Sequence, residues 1–187
     1  DVVWNTSWLP DQNDIKVAAR VTGSTGLIYF TEPLEKLQLY RDYSVELCRP
    51  YGQPKNWVTR AGEFTAKFDM QTKPSQIGDA KAYWVSWSPC YSNGVFINDE
   101  KIYDREELCY EYRAHEVEIT DPLILKHGTN IIKTAKEPLH GGQMVHGMEV
   151  QWPGIMVKVR TRTETDFKAT VEAYEGRQHY KIETPKI

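Results

Sequence analysis

The chain has 187 residues, with 23 Lys and Arg against 26 Asp and Glu for a formal charge of -3. That length can bury a sizeable core in one domain, 1–187, and the near-balanced charge lacks the basic footprint of a protein that tracks phosphates, so no nucleic acid partner is expected. No apolar run reaches the roughly 18 residues that span a bilayer and no basic, apolar leader opens the sequence, so no membrane partner is expected and the chain reads as a mature protein or an excised domain.

The opening DVVWNTSWLPDQND combines two tryptophans with Pro10 and a cluster of Asp11, Asn13 and Asp14, a composition for a loop or an irregular edge. Asn5-Thr6-Ser7 is a glycosylation acceptor pattern. The DQND oxygens suit a structural calcium ion, although a solvated turn uses the same residues. Strands follow at Ile15 to Val21 and Leu27 to Phe30, separated by a Gly23 to Gly26 turn, and continue through LEKLQLY and YSVELCR. EFTAKFDMQ alternates most clearly, with Phe64, Ala66, Phe68 and Met70 on one side and Thr65, Lys67, Asp69 and Gln71 on the other. That pattern predicts a half-buried strand.

Between these strands, Arg49 to Gly62 carries two prolines and two glycines and reads as a long loop. KAYWVSWSP sets Tyr83, Val85 and Trp87 against Trp84 and Ser86, so one face must be buried while the other carries at least one large aromatic. In NGVFINDEKIYD, Asn93-Gly94 and Asn98-Asp99 are turn signals around a short strand. Arg105 to Tyr112 is the one segment that suggests a helical turn. HEVEI then alternates, His127 to Asn130 turns the chain, and MEVQWPGIMVKVRTR forms a strand interrupted at Pro153-Gly154, which predicts an edge position or a bulge. The last segment, 164–187, alternates twice around Glu175-Gly176 and predicts a terminal hairpin extension. Many short strands with almost no helix imply an all-β fold, an antiparallel β-sandwich or jelly roll.

The three cysteines, Cys48, Cys90 and Cys109, are too few for a disulfide scaffold and lack zinc-site spacing. One bridge, with Cys90 to Cys109 the favoured pair, and three buried free thiols are the alternatives.

The strand AYWVSW, the GVFINDEKIY hairpin, the HEVEITDPLILKHGTNIIKT run and the closing GMEVQWPGIMVKVR strand together resemble the second half of a galactose-binding-domain-like jelly roll. That fold serves many carbohydrate-binding modules and the sugar-binding domains attached to glycosidases. In the family's D-x-L-x-x-G-x-N turn the matching positions are Asp121, Leu123 or Leu125, Gly128 and Asn130. The resemblance covers under half of the chain and implies a fold and a polysaccharide or oligosaccharide partner in an extracellular or secreted setting. Further domains of a larger protein are compatible with it.

Six Trp and eleven Tyr make the chain rich in residues that stack on sugar rings while keeping a polar edge. The densest cluster of such chemistry is Arg49, Tyr51, Gln53, Asn56, Trp57 and Arg60, since sugar recognition pairs flat aromatic faces with amide or guanidinium donors. The bland alternative has Trp57 capping the sandwich and the arginines pairing with nearby carboxylates. Trp84 is a second platform candidate and Tyr91 a rim candidate. His140 and His146, with Gln143 and Glu149 nearby, suggest a metal or a lyase base, but their spacing fits no metal motif. No nucleophile elbow is present, and Glu116 with Glu118 reads as a wet strand face. The leading expectation is a non-catalytic carbohydrate-binding domain requiring no cofactor, with a small jelly-roll lyase or hydrolase and a structural accessory domain as alternatives.

Overall fold

A computed structural model describes residues 3–55, 58–59, 63–136, 149–151 and 154–163. The strands are β1 Gln12–Val17, β2 Arg20–Thr22, β3 Ile28–Phe30, β4 Leu34–Leu39, β5 Val45–Cys48, β6 Pro50–Tyr51, β7 Val58–Thr59 and β8 Phe64–Met70. They continue as β9 Ile77–Trp87, β10 Ser92–Ile97, β11 Glu100–Tyr103, β12 Tyr112–Glu118, β13 Gly128–Lys136, β14 Glu149–Gln151 and β15 Met156–Thr161. The helical turns among the described residues are three short 3-10 segments, Pro74–Gln76, Pro89–Tyr91 and Pro122–Ile124. No helix of the described residues is long and apolar enough to cross a membrane.

The chain folds as an antiparallel β-sandwich. One sheet has the order β11-β10-β13-β8-β6, and the other runs β5-β15-β9-β14-β7 with β12 also paired to β9. Strand alternation explains the closure. β8 turns Ala66, Phe68 and Met70 inward and β10 turns Val95 and Ile97 the same way, to meet Ala80, Ala82 and Trp84 of β9 and Val157 and Val159 of β15 in one core. Each large side chain so buried contributes about 1.5–3 kcal/mol. The chain passes between sheets at Arg49, since β5 pairs with β15 and β6 with β8.

Turn chemistry fixes the register. Asn98 and Asp99 both have positive φ, 50° and 72°, and form the two-residue loop between Ile97 and Glu100, the backbone a tight hairpin needs. Asp121 accepts from the Leu123 backbone N–H at 2.9 Å and so caps the Pro122–Ile124 turn. Leu125, not Leu123, is the buried leucine of that motif. Gly128 has φ +88°, and Asn130 behind it is fully buried.

Two local expectations change. Asn93-Gly94 lies within β10 as a register shift between Ser92 and Val95, not as a turn. Gly94 is required there because a Cβ would stand 2.9 Å from the Phe96 ring and φ is +117°. Arg105 to Tyr112 forms no helix, because its backbone bonds across the chain to the Ser88–Cys90 turn and Tyr110 is left-handed at φ 61°. Of the edge position or bulge expected near Gly154, the bulge is the one found, between strands that are paired on both sides. β14 and β15 pair successive stretches of β9, yet from Val150 to Met156 the chain advances six residues while β9 advances only three, Ser86 to Tyr83. Gly154 closes the bulge, its N–H donating to the Gln151 carbonyl at 2.9 Å, where a Cβ would lie 2.7 Å from that oxygen. The hairpin expected over 164–187 lies outside the described residues.

Candidate functional site

At the end of β9 the chain makes a sharp turn that presents aromatic side chains at one edge of the sandwich. Ser88 takes a left-handed backbone, φ 52°, and leads into the Pro89–Tyr91 turn. Cys90 in that turn is disulfide-bonded to Cys109, the favoured pairing from the sequence. Three hydrogen bonds clamp the same two segments: Ser88 N–H to the Glu111 carbonyl at 2.9 Å, Cys90 N–H to the Leu108 carbonyl at 3.1 Å, and Tyr110 N–H to Ser88 Oγ at 2.7 Å. Two left-handed non-glycine residues, Ser88 and Tyr110, persist here because this clamp over-determines them.

The clamp holds Tyr110 outward, 67% exposed, beside Tyr112 at 62%. Trp87 meets the Tyr110 ring edge-on with centroids 5.8 Å apart, and it is the direct cross-strand partner of Tyr112, so Trp87 and Tyr112 share the outer face. Beneath Tyr110 lies Tyr91, whose O–H donates to the Tyr110 hydroxyl at 2.6 Å. That bond, with burial, holds the Tyr91 phenol above its ordinary pKa. Arg113 follows Tyr112 on the chain but is in register with Ser86 and pairs with Glu106 at 3.3 Å, so it belongs to the other face of the strand. A flat aromatic surface with phenol hydroxyls is the chemistry for stacking against a sugar face.

The outer face continues along β9. Lys158 lies over the Tyr83 ring at 4.6 Å, and Lys81 pairs with Glu116 at 2.6 Å. Tyr83 is pushed up to about 12, by burial first and by Glu116 second. Trp8 receives Lys81 and Arg160 over its ring at 5.0 and 5.4 Å, so the opening segment covers the far end of this face.

Directly behind the platform, on the inner face, Ser86 Oγ lies 2.7 Å from His115 Nε2, and His115 Nδ1 lies 3.4 Å from Glu106 Oε1. An ionised carboxylate cannot donate, so the consistent tautomer has Nδ1–H facing Glu106 and Nε2 accepting from Ser86. His115 also stacks on Trp84 at 4.7 Å. Its pKa is lowered, chiefly by burial, against an opposing pull from Glu106. The connectivity is that of a hydroxyl–imidazole–carboxylate relay, but Ser86 has no exposure and leaves no place for a substrate atom. It anchors the 105–111 loop to the core instead. Sequence reasoning missed this cluster, although His115 is in phase with Val117 and Ile119 and was readable as inward-facing.

Those of the residues expected to bind ligand that the structure describes are dispersed. Tyr51 is exposed on β6, its O–H donating to Asp69 at 2.9 Å, on the outer face of the other sheet, and Arg49 is exposed at the crossover. Trp84 is 2% exposed and packs in the core against Tyr103 and His115, so the expected platform is a core residue. The small neighbours Ala82 and Ser86 mark the inward side of β9, leaving Trp87 outward. Tyr91 is likewise a buried support rather than a rim residue. Trp57 and Arg60, with Asn56, and His140, Gln143 and His146 lie outside the described residues. The strands flanking those segments converge near the platform: β7 pairs with β14, β14 pairs with Trp87, and β13 ends opposite Ser92.

Within the DQND cluster, Asn13 Oδ1 accepts from the Tyr40 hydroxyl and Asp11 lies 3.9 Å from Arg41. Among the described residues no group of three or more His, Cys, Asp or Glu is placed to hold a metal ion. A crevice of about 200 Å³ lies between Glu100, Lys101, Glu118 and Asp121. Cys48 is buried and unbridged, its thiol pushed up to about 12 by burial and then by Glu46.

No known family profile matches the sequence, and no curated protein matches it. Among solved structures, the chain is similar to a β-porphyranase of glycoside hydrolase family 86 from the human gut bacterium Bacteroides plebeius, with a TM-score of 0.43 and 12% identity over 83% of this chain and 31% of that one. A BuGH86 variant in complex with neoagarooctaose gives a TM-score of 0.45 at 12% identity, over 88% and 30% of the two chains. The chain thus spans about a third of the length of either structure.

Proposed function

We propose that this chain is a non-catalytic carbohydrate-binding domain of the galactose-binding-like jelly-roll type, holding a polysaccharide or oligosaccharide against Trp87, Tyr110 and Tyr112. The observation that carries the reading is Tyr110: an aromatic ring 67% exposed, held in a left-handed backbone by a disulfide and three hydrogen bonds. Such fixing removes the ordering cost that a mobile tyrosine would incur on binding. A ring kept outward at the expense of backbone strain is better explained by a ligand than by packing. The Cys90–Cys109 bridge supports an extracellular setting, since such bridges persist in oxidising compartments. Burial of the Ser86 hydroxyl favours binding over nucleophilic catalysis.

The test is gel retardation on neutral, uronic and sulfated polysaccharides, read together with absorbance from unsaturated uronate and release of reducing ends. Retardation without product is expected. Product formed on any polymer would replace the binding reading with the lyase or hydrolase one, and silence on all three readouts would favour a structural accessory domain.

A further inference from the structure

The aromatic surface does not end at Trp87. Side chains alternate across a strand, so Val85 and Tyr83 stand on the same outer face of β9 as Trp87, and all three are half-buried. β9 is flanked by β12 on one side and by β14 and β15 on the other, so this row runs along the middle of the sheet. The outward positions of a sandwich strand are ordinarily polar. Three consecutive outward positions that are apolar or aromatic, with no core to fill, extend the platform along the strand.

Side-chain size shapes that row. On β12 the cross-strand partners of Trp87, Val85 and Tyr83 are Tyr112, Ala114 and Glu116. A small, exposed alanine therefore flanks the middle while long side chains flank both ends, and the face dips at Val85. Tyr83 lies four residues from Trp87, about 13 Å along the strand, which is more than one pyranose ring spans. Lys158 over the Tyr83 ring puts an ammonium donor at that end. Past Lys81 the row is closed by Trp8, whose segment is held down by Arg41, donating to the Thr6 and Leu9 carbonyls, and by the Tyr43 hydroxyl, donating to the Ser7 carbonyl at 3.2 Å.

We infer that the platform is one end of a longer site along β9, and that its occupant is a stretch of several sugar units reaching from Tyr110 and Trp87 across Val85 to Tyr83 and Lys158. This rests on the carbohydrate reading above and narrows it to ligand length. A disaccharide held at the Trp87 end falls short of Lys158. A longer chain gains a second aromatic contact and a charged donor without any further ordering of the protein, since both ends stand on one rigid strand.

Isothermal titration calorimetry with the di-, tetra- and hexasaccharides cut by partial hydrolysis from whichever polysaccharide retards the protein tests the inference. Affinity should rise at least about tenfold from disaccharide to hexasaccharide, the effect of one added anchoring contact. Tyr83→Ala should abolish that gain and leave disaccharide binding unchanged. Ala114→Arg, at an exposed position, fills the dip and should do the same with an unchanged far-UV circular dichroism spectrum, so the test holds even where loss of Tyr83 disturbs the fold. Equal affinity for disaccharide and hexasaccharide, or a length gain that survives both substitutions, would overturn the inference and leave the carbohydrate reading in place. Silence from every polymer would overturn both.

Discussion

Replacing Asn130 by Ala tests whether the turn before β13 is held as described. The Asn130 side chain makes four hydrogen bonds: its oxygen accepts from the Lys126 N–H at 2.8 Å and from Asn98 Nδ2 at 2.7 Å, and its nitrogen donates to the Lys126 and Gly128 carbonyls at 2.8 and 3.0 Å. Asn98 in turn bonds the Ile124 carbonyl and the Ile131 N–H, so one amide locks the 122–131 turn to the β10–β11 hairpin. Each bond contributes about 1 kcal/mol net, and groups left unpaired in the interior cost more. Water can reach the exposed Lys126 backbone and recover part of that loss. The expected destabilisation is therefore about 3–4 kcal/mol, with a fall in Tm of roughly 10 °C for a domain of this size. Urea unfolding followed by tryptophan fluorescence measures it, with Thr129→Ala as control, since the Thr129 hydroxyl makes an exposed bond to Asp69. A loss below about 1 kcal/mol, indistinguishable from the control, would refute the reasoning.

Two further outcomes follow from the platform's supports. Native burial lowers the His115 pKa below 6.5, so the unfolded chain takes up its proton first as the solution is acidified. The stability contribution is intact above 6.5 and falls as the pH drops from there towards the native value. Urea midpoints taken between pH 7.5 and 5 should show that slope in the wild type and a shallower one in His115→Gln; equal slopes would contradict the burial argument. Removing the bridge with Cys90→Ser and Cys109→Ser opens a loop of sequence separation 19, which chain entropy puts at about 3 kcal/mol. Ligand affinity should fall with it, and a double variant that keeps full affinity would show that the clamp does not hold the platform.

The parts of the fold legible in the sequence are those where alternation and turn chemistry agree. Phe64, Ala66, Phe68 and Met70 sit on one side as their spacing requires, and Asn98-Asp99 supplies the positive φ values of a tight hairpin. β9 was harder to orient. Its outward set, Tyr83, Val85 and Trp87, is as apolar as the inward Ala82, Trp84 and Ser86, so periodicity alone could not show that Trp84 fills the core while Trp87 faces out. Tyr110 carried no local signal at all. Its exposure depends on a left-handed backbone, a bridge to Cys90 and a hydrogen bond from Tyr91, contacts made by residues about twenty positions away. The same long-range contacts displaced the helical turn expected over Arg105 to Tyr112.

The central claim, that Tyr110 faces a carbohydrate, meets its most direct test in Tyr110→Ala, titrated by affinity electrophoresis against whichever polymer retards the wild type. Tyr110 is exposed but accepts from the buried Tyr91 hydroxyl, so unfolding stability should fall by about 1–2 kcal/mol and the fold should persist. The dissociation constant should rise at least about tenfold, the ~1.4 kcal/mol expected of a lost stacking residue at the centre of a site. A variant that binds as tightly as the wild type would contradict the account and move the site away from this platform.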